Sequence, residues 1–140
     1  MKKSEIRNIT LVLESLPIKE CEDRELKIQL IHDRVCLKRY DQEILSDVVS
    51  LREEIIGDKQ DKVNEYYQLA QEGKIEEAKA LEPEVKDVIL DFSRANDGLM
   101  NQEVEVNLPY KIEGRKLVEF IVDHAPEAVD DIDKLIPIMM

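Results

Sequence analysis

Tryptophan is missing from this 140-residue chain, phenylalanine and cysteine occur twice each, tyrosine and glycine four times each and proline five times. With so few aromatics the core has to be aliphatic and thin. Glycine and proline this sparse cannot supply the turns that an all-β fold needs every ~8–12 residues, so helix is the expected state. Two cysteines do not make a disulfide scaffold, and Cys21 and Cys36 are expected to be reduced thiols. No apolar run approaches the ~20 residues that span a bilayer, and the opening MKKSEIRNIT carries charge where a leader peptide has its apolar stretch. A cytoplasmic protein is expected.

What the chain has in quantity is charge. Hydrophobic residues make up 43% and charged residues 37%, which excludes a fully disordered or low-complexity chain, and the length suits one domain over 1–140. The net charge of -12 is uneven: residues 1–40 hold 9 Lys/Arg against 7 Asp/Glu, residues 41–140 hold 11 against 25. An acidic surface repels phosphate backbones and anionic lipid, so direct nucleic-acid binding and membrane binding are not expected. A basic partner, or mimicry of a polyanion, is compatible with it.

Between Pro17 and Gly57 there is neither glycine nor proline, and Leu30, Leu37, Ile44 and Leu51 recur every seventh residue with Val48 and Ile55 at the complementary position. That is a coiled-coil seam, and it predicts an outgoing helical arm over 22–56, about 52 Å long at the helical rise. Since a compact chain of this length has a radius of gyration of only ~14 Å, an elongated molecule is expected. Gly57-Asp58 reads as a stop and a new cap, followed by a stripe of Val63, Tyr66, Tyr67 and Ala70 up to Gly73. Ala78, Leu81, Val85, Val88, Phe92, Ala95 and Leu99 then follow a 3-4 spacing, the seam of a returning arm over 58–99 that is interrupted near 73–83. A break is expected at Leu81–Pro83, because a mid-helix proline costs ~3 kcal/mol or more.

Asn96-Asp97-Gly98 supplies helix-ending residues. Beyond it Glu103-Val104-Glu105-Val106 alternates as a half-buried strand does, so 103–112 is expected to form a small β-ribbon with Val104 and Val106 inward, paired with Ile9–Leu13, Pro17–Lys19 or Tyr110–Ile112. A helical tail over 115–140 closes the chain, with Leu117, Phe120 and Ile121 apolar.

Chemistry-bearing patterns are sparse. His32 and Cys36 stand four apart on one helix face, but two ligands do not make a structural zinc site, and a partly buried pair is the simpler reading. Asn96-Asp97-Gly98 fails as a calcium loop, since Ser93, Ala95 and Val104 would occupy its ligand positions. Asp130, Asp131 and Asp133 suit a helix N-terminus as well as a cation. Tyr67, Ala70, Gly73 and Ala78 echo half a tetratricopeptide repeat, read here as hairpin packing. No nucleophile elbow and no glycine-rich phosphate loop is present, so no catalytic residue, cofactor or metal is assigned and no enzyme is expected. Arg34 and Asp41 take the complementary seam positions where apolar residues belong, which points to a seam of specified register. Ile31, Leu45, Val49 and Ile56 lie roughly 60–100° around the helix from the main seam and need a second cover, so they are the expected interaction stripe, for self-association or for a protein partner.

Leu16-Pro17-Ile18-Lys19, the long charged helix, the central interruption, and Leu99-Met100-Asn101-Gln102-Glu103-Val104-Glu105-Val106 followed by Leu108-Pro109 together resemble small uncharacterised phage and prophage proteins. The likeness spans nearly the whole chain, though a Gly- and Asp-rich insertion at the hairpin tip is reduced here to Gly57-Asp58. It implies a strand after the returning arm and a short helical tail, in a host-cell cytoplasmic or virion product, and it offers no established catalytic residues to carry over. The expected fold is mainly α: an elongated, coiled-coil-like antiparallel helical hairpin with a small β-ribbon and a C-terminal helix. The expected function is a non-enzymatic interaction or assembly factor. An acidic inhibitor mimicking nucleic acid, and a metal-dependent enzyme built on His32/Cys36 or the tail carboxylates, are the alternatives.

Overall fold

The computed structural model describes residues 1–140 and is mainly helical. Five α-helices are formed: α1 (Lys3–Ser15), α2 (Arg24–Ile55), α3 (Gln60–Gln71), α4 (Ile75–Met100) and α5 (Gly114–His124). Three 3-10 segments accompany them, Ile18–Glu20, Gly57–Lys59 and the 13-residue Pro126–Ile138. No helix is long and apolar enough to cross a membrane. The chain divides into two compact units, Met1–Ile44 with Asn101–Met140, and Leu45–Met100.

In the first unit α1 buries Ile6, Ile9, Thr10, Val12 and Leu13, a helical spacing. Its start is fastened where the Lys2 N–H donates to the Glu5 carboxylate at 2.9 Å. It ends where Leu16, extended at φ -75° and ψ 139°, precedes Pro17. Ile9–Leu13 is therefore helix and not a strand partner: its consecutive apolar residues serve one face of a helix whose register is set by Ile6, Ile9 and Leu13. The 3-10 segment Pro126–Ile138 packs on both α1 and α5. Leu30 and Leu37 of α2, Ile112, Leu117 and Ile121, and Leu135 and Ile138 are all completely buried in this unit. Asp23 opens α2 by accepting the Leu26 N–H at 3.1 Å, and that bond is the main cause holding its carboxyl below the usual carboxylate range.

The expected β-ribbon over 103–112 is absent. Two isolated bridges stand in its place, Lys2 with Glu103 and Ile112 with Met139. The backbone bonds of this stretch go to separate partners: the Val104 N–H donates to Met1 O at 2.7 Å and the Ile112 N–H to Ile138 O at 2.9 Å. The Tyr110 N–H goes to a side chain, Asp33 Oδ1, at 3.1 Å, and Pro109 has no donor. With its bonds dispersed in this way no ladder can propagate. The alternation itself survives, Val104 and Val106 half-buried and Glu103 and Glu105 exposed.

In the second unit Gly57 (φ +46°) and Gly73 (φ +79°) carry the left-handed conformations that end the preceding helical turns. Short connections then bring α3 against α4. Ile56, Val63 and Val85 form the buried centre of this unit, with Ile55, Tyr66, Val88, Ile89 and Phe92 packed on it. The Arg52 guanidinium lies 5.3 Å from the centre of the Phe92 ring, so the last turns of α2 share this core with α4. The hairpin is realised to that extent. Leu30, Leu37 and Ile44, expected to face the returning arm, belong instead to the core of the first unit.

Two further expectations about the returning arm are corrected. Helix α4 runs unbroken through Pro83, which is exposed. At 100° per residue Pro83 lies roughly opposite the Val85/Phe92 face, where the backbone carbonyl its ring leaves unpaired can meet water. Asn96-Asp97-Gly98 does not end the helix, which continues to Met100, and Gly98 has no positive φ. The half-buried Leu99 and Met100 extend the packed face beyond the glycine, and that burial outweighs the ~1 kcal/mol cost of a helical glycine.

Candidate functional site

The buried face of α2 comprises Leu26, Leu30, Asp33, Leu37, Asp41 and Ile44. Its spacing of 4-3-4-4-3 is an ordinary amphipathic stripe with two acids in it. The two acids are treated differently. Asp41 accepts both of its bonds from Arg7 Nη1 of α1, at 3.0 and 2.8 Å, which ties the two helices together. Asp33 is fully buried, receives one N–H from Tyr110, and its other oxygen, Oδ2, has no hydrogen-bond partner in the protein. Burial pushes its carboxyl up to about 6, against the opposing pull of the Tyr110 N–H, Lys111 and His32.

Around Asp33 the irregular segment that follows α4 lies against α2. The rings of His32 and Tyr110 meet edge to face at 5.7 Å, and Cys36 Sγ donates to Asn107 O at 3.7 Å. Beside this contact is a groove of ≈ 570 Å³ lined by Ile31, His32, Val35, Cys36, Arg39, Tyr40, Glu43 and Pro109. Val35 is 48% exposed and Ile28, two turns earlier on the same stripe, 39%. At 100° per residue Ile28, Ile31 and Val35 fall within about 60° of one another, well round the helix from its buried face. Apolar residues thus stand in solvent with a mixed-charge rim of Arg39, Glu43 and His32.

Of the interaction stripe read from the sequence, Ile31 lines this groove and is half-buried. Leu45 and Val49 belong to the second unit and are 41% and 50% exposed; Val49 borders a separate hollow with Arg52, Glu53, Gly57, Gln60 and Asn64. Ile56 is a correction. It is 6% exposed, at the centre of the second unit's core, because Gly57 turns the chain there and lays α3 over it. Arg34 is only half-buried, and the polar seam position next to it is Asp33. Asp33 carries a legible signal in the sequence, a charge three residues after Leu30 and four before Leu37, whereas a strict seven-residue count points to Arg34.

His32 and Cys36 do not converge as ligands, one turning to Tyr110 and the other to Asn107. No group of three His, Cys, Asp or Glu side chains is placed to hold a metal ion. Burial foremost, and then the Asp33 carboxylate, raise the Cys36 thiol above its usual range; burial likewise raises Cys21, whose Sγ donates to Asp23 O at 3.4 Å. Raised thiols are protonated at neutral pH and are poor nucleophiles. In the tail Asp131 is bound by Lys134 at 2.9 Å, with Asp130 and Asp133 exposed. Comparison with known proteins finds no family model, no curated protein and no solved structure that matches the chain.

Proposed function

We propose that this chain is a non-enzymatic protein-binding module, an accessory or assembly factor of phage or prophage type acting in the host-cell cytoplasm, with the α2 groove of the first unit as its recognition surface. One observation carries the reading: Val35 stands in solvent beside Ile31 in a groove of ≈ 570 Å³ with a charged rim, with Ile28 exposed outside the groove on the same stripe, on a helix whose other face is already committed to the core. Apolar anchors set in a polar rim are what a helix or extended peptide docks against. The partner is another protein or a second copy of the chain.

A photo-reactive amino acid at position 35, in cells that express the chain, tests this. The expected outcome is one discrete cross-linked product, with Ile31→Glu abolishing it and leaving the circular dichroism unchanged. A product that persists in Ile31→Glu, or no product at all, would overturn the reading. Light scattering of the purified protein then tells a self-associating chain from one with a foreign partner.

A further inference from the structure

Asp33 presents an unusual balance of forces. A carboxyl group with no exposure to solvent and a single backbone donor is poorly compensated as an anion, since a buried charge without full pairing loses its hydration with little in return. The donor comes from Tyr110, next to Pro109, and Pro109 lines the recognition groove. Elsewhere residues 105–111 form no helix and no strand, and are held by the Lys111 ammonium on the Pro137 carbonyl at 2.7 Å, the long Cys36–Asn107 contact and the edge of the Tyr110 ring on His32. We propose that residues 105–111 form a strap latched to α2 by the Asp33 carboxyl group, and that deprotonation of this carboxyl favours release of the strap and opening of the groove along its Pro109 side.

The direction follows from linkage. In the latched state the carboxyl titrates at about 6, while a carboxyl that has swung into water returns toward the ordinary 3.8. The latched state therefore holds its proton over a pH range where the open state has lost it. Strap closure is strongest below the ordinary value and weakens as pH rises through the latched value. The groups acting on Asp33 are His32 of its own helix and Tyr110 and Lys111 of the strap, and Cys36, one turn on, feels its charge. The Lys111 ammonium is spread between Asp33 and the Pro137 carbonyl, which it reaches at 2.7 Å, so it only partly offsets the buried charge. This inference rests on the reading of the groove as a recognition surface and adds its regulation: the surface is more open above about pH 6 than below it.

Hydrogen exchange at the Tyr110 amide of the free protein, corrected for the intrinsic pH dependence of exchange, reads the strap directly. Linkage between the two titration values predicts an opening equilibrium about tenfold larger at pH 7 than at pH 5. Asp33→Asn should leave that equilibrium flat with pH. An unchanged opening equilibrium in the wild type, or a tenfold change that survives in Asp33→Asn, would overturn the latch. If Asp33→Asn does not fold, the carboxyl carbon of Asp33 in the wild type is followed by NMR: a midpoint near 6 shared with the Val35 methyl signals supports the latch, and a midpoint near 4 overturns it. None of these measurements involves a partner. Failure of the cross-link at position 35 would thus overturn the binding surface and leave the strap standing, and flat exchange would do the reverse.

Discussion

At the scale of single residues, the first unit is organised by how two acids on one helix face are satisfied. Asp41 has a guanidinium from α1 against both oxygens, whereas Asp33 has one amide. Removing one partner of a buried pair leaves an uncompensated charge, which costs more than the pair itself contributes. Arg7→Ala should therefore cost about 3 kcal/mol in urea unfolding at pH 7, toward the lower end for such pairs because the Arg7 side chain is one-quarter exposed. The double variant Arg7→Met, Asp41→Leu, which removes both charges and keeps the volume, should stay within about 1 kcal/mol of the wild type. A single variant as stable as the wild type would mean that the pair does not fasten α1 to α2. Only half of this pair was legible in the sequence: Asp41 stood out as a seam interruption, but nothing in the local pattern of α1 marked Arg7, 34 positions away, as its counterpart.

At the scale of elements, the helices whose signals are local came through. The arm expected over 22–56 is α2 at Arg24–Ile55, Gly57 and Gly73 turn the chain as their freedom at positive φ suggests, and the helical tail expected over 115–140 is α5 followed by the 3-10 segment Pro126–Ile138. The misread elements are those in which local preference and tertiary packing disagree. Pro83 and Asn96-Asp97-Gly98 are helix breakers by composition, yet α4 passes through both, its apolar face packing at Val85, Val88, Ile89 and Phe92, between them, on the core of Ile56 and Val63. The proline is tolerated there, not favoured. Pro83→Ala restores an N–H and relieves the ring's clash with the preceding turn, so it should stabilise the protein by up to about 3 kcal/mol, less the unfolded-state entropy that proline removes. A fall in melting temperature would mean that α4 depends on a kink at that point. The stretch 103–112 errs the other way: its alternation is a strand's, but its backbone donors are taken by Met1, Ile138 and the Asp33 side chain, partners no local pattern could specify.

At the scale of the whole molecule, the contrast between residues 1–40 and 41–140 does not map onto the two units, both of which are net acidic. Leu45–Met100 carries 7 Lys/Arg against 14 Asp/Glu, and the remaining residues carry 13 against 18. Net self-repulsion opposes the folded state and is screened by salt, whereas the buried Arg7–Asp41 pair is screened little. The melting temperature at pH 7 should accordingly rise between 20 and 200 mM sodium chloride, by differential scanning calorimetry, and a fall would show that surface ion pairs outweigh the repulsion. Composition and periodicity alone decided that the chain is mainly helical, where its longest helix lies, where glycine turns it and how acidic it is, because each of these depends on residues within a few turns of one another. Tertiary structure alone decided that α1 is tied to α2 through Arg7 and Asp41, that Ile56 is core and not surface, that the stretch before Ile112 is a tethered strap, and that Asp33 is buried with one oxygen unpartnered. Those outcomes depend on which distant segment covers a given face, and a face that must be covered does not by itself specify what covers it.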